Sequence, residues 1–448
     1  MKYLIIKNAC LINNNKRFNA DVLIKNKTIE KIDRNINTKN LNVKEIDAEN
    51  LFMIPGLIDS HVHFREPGLT SKATIYTESR AAATGGITSF IDMPNTVPPT
   101  KKYDDFLNKC NIAKLTSAIN YSFYVLVAND NYDEIMNLNH REVPGLKIFL
   151  GSSTGNLANK DTESIEKVFA NTPLLILAHC EDDATINKNL ELYKNKYKDL
   201  NFPYNIHKLI RDDEACYVAS LMAANMAEKY STRLHIVHIS TEKELSLLKK
   251  GENLKGKNIT GEVCVHHLFF SEDDYKKLGN LIKWNPSIKS KLDKEALQKA
   301  LRDNLIDTIA TDHAPHLLHE KQQPYLQAPS GAPLVQHALP ILLELSLDNK
   351  ITMETIVAKF AHNVAKLFNI EKRGFLEEGY YADIALFSLH DSFKVDSLSN
   401  IKYKCQWSPV DKYTFRSKIC YTIVNGEIIY DGNNIYDNNN AAMQLKFN

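Results

Sequence analysis

The chain has 448 residues, 44% of them hydrophobic and 24% charged, which is enough for one large catalytic domain and a smaller companion around a substantial core. Its 55 Lys and Arg residues balance 54 Asp and Glu residues, so no bulk field recommends nucleic acid or an anionic membrane as a partner. No apolar run reaches the length of a membrane-spanning helix, and the 7 cysteines form no CxxC pair, which fits reduced thiols in a cytoplasmic protein.

From the amino end, KYLIIKNACLI and ADVLIKNKTIEKID read as strands separated by turn residues. The short apolar run there continues as alternating strand without a small-residue cleavage site, so no signal peptide is expected. Eight short apolar runs follow in order: FMIPGLIDSHVHF, GITSFIDMPN, YSFYVLVAN, GLKIFLG, LLILAHC, RLHIVHIS, ITGEVCVHHLFF and DTIATDHA. Helix-like stretches such as TIYTESRAAAT, DTESIEKVFAN and DEACYVASLMAANMAEKY lie between most of them. Repeated β-then-α units with nearly continuous apolar strands predict an α/β fold, a TIM-type (β/α)8 barrel covered on both faces of its strands. At the carboxyl end, YYADIALFSL and KICYTIVNGEIIYDG return to a strand pattern. There Asn425-Gly426 predicts a hairpin, because both turn positions need positive φ. The β segments at the two ends are expected to pair, giving a small β-sandwich domain from residues 1–52 and 371–448 around a barrel over 53–370.

Reactive groups in such barrels sit at the carboxyl ends of the strands. His61 and His63 end the first run, Asn95 the second, His179 the fifth, His238 the sixth and Asp312 the eighth, while Lys147 lies within the fourth. Residues i and i+2 of a strand face the same way, so His61 and His63 can hold one ion together. Alone, an HxH pair is weak evidence, and two ordinary histidines on a polar rim are the better reading of it. Convergence of imidazole, carboxylate and amine at strand ends argues instead for a metal-dependent hydrolase. Lys147 interrupts an apolar strand, where an unpaired ammonium is costly; a snorkelling or salt-bridged lysine is the plainer alternative. Burial also lowers the amine pKa, and a neutral amine can take up carbon dioxide to form an anionic carbamate able to bridge two cations.

The segments IPGLIDSHVHFREPG, FIDMPNTVPPT, GLKIFLGSSTG, AHCED, HIVHIS, VHHLFFS, NPSIKSK, ATDHAPH and GFLEEGYYADIALF resemble those of the amidohydrolase superfamily, and within it the dihydroorotases, over essentially the whole chain. HVHFREPG with ATDHAPH is a highly specific pair. The resemblance implies His61, His63 and Asp312 as ligands of one ion, His179 and His238 as ligands of a second, and Lys147 as the carboxylated lysine between them. Two zinc ions are the expected metals. It further implies reversible hydrolysis of dihydroorotate to N-carbamoyl-L-aspartate in pyrimidine biosynthesis, by hydroxide held between the ions, with Asp312 as general acid and base.

The same resemblance places Arg65, Asn95 and His316 on the substrate carboxylate and Asn285 on the ring edge, with His267 beside them or behind the ligands. A surface ion pair for Arg65, a capping amide for Asn95, a loop histidine at 316 and a turn before Pro286 are the plainer alternatives. A guanidinium fork pairs with a carboxylate through two parallel hydrogen bonds. Arg65 therefore separates this reading from an allantoinase or hydantoinase acting on a ring without that group. A third reading, a catalytically dead dihydroorotase-like scaffold, sits poorly with a complete ligand set. A homodimer follows from resemblance alone. Lys289 departs from the arginine of many relatives, and PSGAPLVQH from their Gly-rich pattern. The segment 317–333, LLHEKQQPYLQAPSGAP, has loop composition and is expected to close over bound substrate.

Overall fold

The computed structural model describes residues 2–39, 41–151, 161–198, 201–251, 254, 256–438 and 441–448. The amino-terminal part forms β1 (Tyr3–Asn13), β2 (Lys16–Lys25), β3 (Thr28–Asp33), β4 (Val43–Asp47) and β5 (Phe52–Pro55). The middle supplies β6 (Leu57–Val62), β7 (Ile87–Asp92), β8 (Asn120–Phe123), β9 (Val125–Leu126), β10 (Leu146–Leu150), β11 (Ile176–Cys180), β12 (Leu234–Ile236), β13 (Ile259–Cys264) and β14 (Thr308–Ala310), most of them separated by helices. The carboxyl-terminal part adds β15 (Ile384–Ser388), β16 (Phe393–Lys394), β17 (Thr414–Phe415), β18 (Lys418–Val424) and β19 (Glu427–Tyr430).

Both chain ends enter one sheet, in the order β19, β18, β15, β5, β1, β2, β3, with β4 also pairing with β1. The ends meet where β15 runs antiparallel to β5. Alternating apolar residues explain the pairing: Leu4, Ile6, Val22, Ile24, Ile384, Leu386 and Ile423 bury together. The expected hairpin joins β18 to β19, with Asn425 at φ 49° and Gly426 at φ 78°. Asn425 is buried and its amide donates to Asn120 Oδ1 at 2.7 Å and Ala441 O at 2.6 Å, while its Oδ1 accepts from Arg373 at 2.9 Å. The turn thus ties the terminal sheet to β8.

The middle strands form two wholly parallel sheets, β6-β7-β8 and β9-β10-β11-β12-β13-β14. Only Tyr124 separates β8 from β9, and at the other edge a parallel bridge links Val62 to His313. The strands β7, β10 and β11 are buried at every position, as expected where both faces are covered. The surrounding helices start on side-chain caps. Asp212 accepts from Ala215 N to open helix Asp213–Tyr230, and Ser290 with Asp293 forms a capping box for helix Lys291–Arg302. Among the described residues, no helix is long and apolar enough to cross a membrane.

A Cβ at position 426 would lie 2.1 Å from Asn26 O, in a backbone conformation that L side chains avoid. Gly426→Ala is expected to destabilise the protein by about 1–3 kcal/mol, seen as a lower thermal midpoint. An unchanged midpoint would show that the turn does not hold the terminal sheet.

Candidate active site

Four imidazoles meet at the carboxyl ends of the parallel strands. His61 lies in β6 and His63 just beyond it, His179 in β11, and His238 two residues past β12. Ring centroids are 5.6 Å apart for His63–His61, 5.4 Å for His61–His238 and 4.7 Å for His238–His179, so the rings form one row. Asp312, two residues past β14, brings Oδ1 to 3.1 Å from His63 Nε2 and 3.4 Å from His61 Nε2. These three residues form one compact donor set. At the other end of the row, His179 Nδ1 and His238 Nε2 face each other at 2.8 Å. Imidazole nitrogen and carboxylate oxygen suit a divalent cation of borderline softness.

The far nitrogens of His61, His63 and His179 face acceptors. Glu262, fully buried in β13, takes His61 Nδ1 at 2.8 Å and also accepts the backbone N–H of His238 at 3.3 Å. Asn95 Oδ1 lies 2.6 Å from His63 Nδ1, and Glu181 Oε2 lies 3.3 Å from His179 Nε2. Arg211 pairs with Glu181 at 2.5 Å. A ring whose outer nitrogen donates to a fixed acceptor presents its inner lone pair, as ligation requires. Burial favours the neutral form of three of the rings: His63 is pushed down to about 4, His179 below its usual range and His238 well below it. For Asp312 burial favours the neutral acid, but the adjacent His61 and His63 outweigh it and hold the carboxyl well below the usual range.

Lys147 Nζ is buried and, among the described residues, has no hydrogen-bond partner. Burial lowers its pKa to about 8, opposed by the nearby Glu262 and Asp312 carboxylates. Its charge also acts on His179 and His238 at one end of the imidazole row, and Asp312 at the other end acts on it. A buried amine beside two donor groups and without an acceptor is the observation that favours a covalent or ionic partner here. The GLKIFLGSSTG segment that follows is described only to Gly151, and its remainder lies outside the described residues.

The mouth of the site is cationic. Arg65 is buried with φ 67°, donates from Nε to Pro315 O at 3.1 Å, and places Nη2 3.1 Å from His316 Nε2. Among the described residues it forms no ion pair, and burial lowers its pKa to about 10. His238 and Asp312 share its unusual backbone, at φ 43° and 46°, so three residues of the site occupy the left-handed region. Asn285 leaves Oδ1 buried and unpartnered; His267 contacts Pro286 O at 3.3 Å through Nε2 and leaves Nδ1 unpartnered. His266 stacks on Trp284 at 4.2 Å, and Trp284 Nε1 donates to Asp312 O at 3.4 Å. The 317–333 segment is docked. Lys321 Nζ donates to Pro329 O and Lys283 O at 2.8 and 3.1 Å, and Lys283 Nζ to Tyr325 O and Ala328 O at 2.7 and 2.5 Å.

The strand-end pattern foretells the imidazole row and Asp312, but not Glu262 or Glu181. Both carried a usable signal. Glu262 is a carboxylate inside an apolar run, the same anomaly that singles out Lys147, and Glu181 follows His179 by two residues on one strand face. Asn95 is expected on the substrate, and the structure shows its amide oxygen on His63.

The Amidohydrolase family model matches residues 52–429. Proteins named dihydroorotase from Methanosphaera stadtmanae and Methanosarcina acetivorans are 32% and 33% identical to this chain, covering 97% and 95% of it and 98% and 91% of their own lengths. Among solved structures, an L-hydantoinase (dihydropyrimidinase) from Arthrobacter aurescens superposes with a TM-score of 0.91 at 23% identity, covering 100% of both chains. A D-hydantoinase gives 0.88 at 22% identity over 100% of this chain and 99% of its own. At that identity the two hydantoinases share the fold.

Glu262→Gln removes the charge that holds His61 and the His238 backbone. It is expected to weaken divalent-metal affinity by about 10–100-fold, measured by competitive chelator titration. Unchanged affinity would assign Glu262 to the core alone.

Proposed function

This chain belongs to the amidohydrolase family, and from that premise we propose that it is a dihydroorotase, hydrolysing the ring amide of dihydroorotate to give N-carbamoyl-L-aspartate and closing it again with loss of water. One observation carries the choice of substrate: Arg65 is a buried guanidinium beside the ligand set with no carboxylate paired to it among the described residues. An unpaired buried cation is costly, and a substrate carboxylate relieves that cost through two parallel hydrogen bonds. Neutral rings such as hydantoin, dihydrouracil or allantoin leave Arg65 without a partner. Dihydroorotase-named relatives aligned over nearly the whole chain support the reading.

The proposal includes the architecture around the site. Residues 53–370 form a closed (β/α)8 barrel from the two parallel sheets, and residues 1–52 with 371–448 form a β-sandwich from the terminal sheet. His61, His63 and Asp312 would hold one zinc ion and His179 and His238 a second, with Lys147 as its carbamate a further ligand; such ions would supply an activated water and polarisation of the ring carbonyl.

The rest is the work of the side chains. Asp312, kept ionised by His61 and His63, accepts the proton of the attacking water and returns it to the ring nitrogen as the C–N bond opens. Arg65 and His316 bind the carboxylate and so fix which carbonyl meets the water. Asn95, whose oxygen is occupied by His63, offers only N–H donors to the same anion. Asn285 and His267 line the ring with unpartnered buried atoms.

Purified protein is expected to turn over dihydroorotate in preference to dihydrouracil, hydantoin and allantoin, and Arg65→Met to raise KM for dihydroorotate about 10–100-fold. Preference for an uncharged ring would overturn the reading. Lys147→Ala is expected to abolish turnover, with partial recovery on adding a short carboxylate such as propionate; activity like the wild type would remove Lys147 from the centre.

A further inference from the structure

Resting on the dihydroorotase reading, we infer that Lys72 is a specificity-determining positioning residue: it sets the tautomer of His316 so that this imidazole donates to the substrate carboxylate. Lys72 Nζ lies 2.9 Å from His316 Nδ1. An ammonium has hydrogens and no lone pair, so Nδ1 must be the acceptor. A neutral imidazole then carries its proton on Nε2, and that nitrogen lies 3.0 Å from Ser330 O, a carbonyl that accepts. Burial and the adjacent Arg65 keep the ring neutral.

The consequence appears at Arg65. Its Nη2 lies 3.1 Å from the same Nε2, which has no lone pair left to offer it. Arg65 Nη2 and the Nε2–H therefore lie together as donors, and because Ser330 O already accepts from Nε2, an incoming anion must share or replace that carbonyl. A carboxylate, with two oxygens and full negative charge, suits that edge, and a neutral ring substituent does not.

Lys72 is itself held in place. Its Nζ pairs with Glu320 Oε1 at 2.8 Å, and Glu320 Oε2 accepts Leu317 N at 2.8 Å at the start of the docked segment. Without the lysine, Arg65 becomes the donor-only neighbour of His316. The imidazole then gains by moving its proton to Nδ1, where Glu320 Oε2 stands 3.7 Å away. In that tautomer Nε2 turns a lone pair toward the incoming anion and repels it. Gly331 belongs to the same construction: a Cβ there would lie 2.5 Å from Ala314 O and 3.2 Å from His316 Cδ2, so a side chain would displace the ring.

The test compares wild type, Lys72→Met and Lys72→Arg on dihydroorotate and on its neutral methyl ester, with metal content measured on each. Lys72→Met is expected to raise KM for the acid about tenfold, leaving kcat, metal content and the ester's KM unchanged. Lys72→Arg keeps a donor-only cation and is expected to restore the acid's KM. Glu320→Gln loosens the same hold from its other side and should move the acid's KM in the same direction by less. Nitrogen-15 histidine spectra, assigned with His316→Gln, should show His316 protonated on Nε2 in wild type and on Nδ1 in Lys72→Met. The inference is overturned if Lys72→Met leaves the acid's KM unchanged, raises acid and ester KM alike, lowers kcat alone, or leaves the tautomer unmoved. Absence of dihydroorotate turnover in the wild type would instead refute the assigned activity, and the nitrogen spectra would still decide the role of Lys72.

Discussion

Imidazoles packed in a row can present lone pairs to a common space only if their outer nitrogens are occupied by fixed partners. Glu262, Asn95 and Glu181 stand at those positions for His61, His63 and His179. Each comes from a different strand end, so the alignment of the parallel strands sets the alignment of the rings. Glu262 has the widest reach, because one carboxylate oxygen holds the ring of His61 and the backbone of His238. Asp59 adds to this from β6, accepting the backbone N–H of His61 and of Thr311 at 3.2 Å each. Burial raises Asp59 to about 7, and its hydrogen bonds work against that rise.

That arrangement has an energetic cost. Among the described residues, Lys147 Nζ, His267 Nδ1 and Asn285 Oδ1 are buried without hydrogen-bond partners, and each such group costs about 1–3 kcal/mol. The strain is local, since Arg65, His238 and Asp312 also hold left-handed backbone conformations. A protein tolerates such a concentration where ligands recover the loss, so cation and substrate binding add to stability as well as activity. The compensating order lies around the site: fully buried strands on one side, and on the other the 317–333 segment fixed by Lys283 and Lys321 to backbone carbonyls. The sequence suggests a closing loop there. In the structure it is already docked, and two lysines with no acidic partner among the described residues donate to backbone carbonyls along it, which explains how loop composition yields an ordered wall.

Much of this was legible because it follows from local pattern. Alternation and apolar runs identify the strands, and an i, i+2 pair at a strand end identifies His61 and His63 as neighbours. Asn425-Gly426 encodes its turn by backbone preference alone. What stayed hidden is pairing at long sequence separation. Lys72 and His316 are 244 residues apart, and His61 and Glu262 are 201 apart, so no periodicity links them. The break at Tyr124 between β8 and β9 is hidden for a related reason: YSFYVLV reads as one run, and only the neighbouring strands decide where it bends.

Asn95 shows how the two halves of the site constrain each other. An amide has one acceptor atom and two donor hydrogens, and His63 occupies the acceptor. Whatever else Asn95 touches must therefore accept hydrogen bonds, as a carboxylate does. The atom that orients the His63 imidazole thereby fixes the polarity that Asn95 offers to any other partner. Arg65 is donor-only by chemistry and His316 becomes a donor through Lys72, so the mouth is uniformly donating although its residues are of different types. The interior row turns the Nε2 atoms of His61 and His63 toward the Asp312 carboxylate, so this end of the site gathers nitrogen and oxygen donors suited to a cation. A molecule with an anion at one end and an electrophilic carbonyl near a cation at the other is complementary to both halves. Exchanging the polarity of Asn95 would disturb both ends at once.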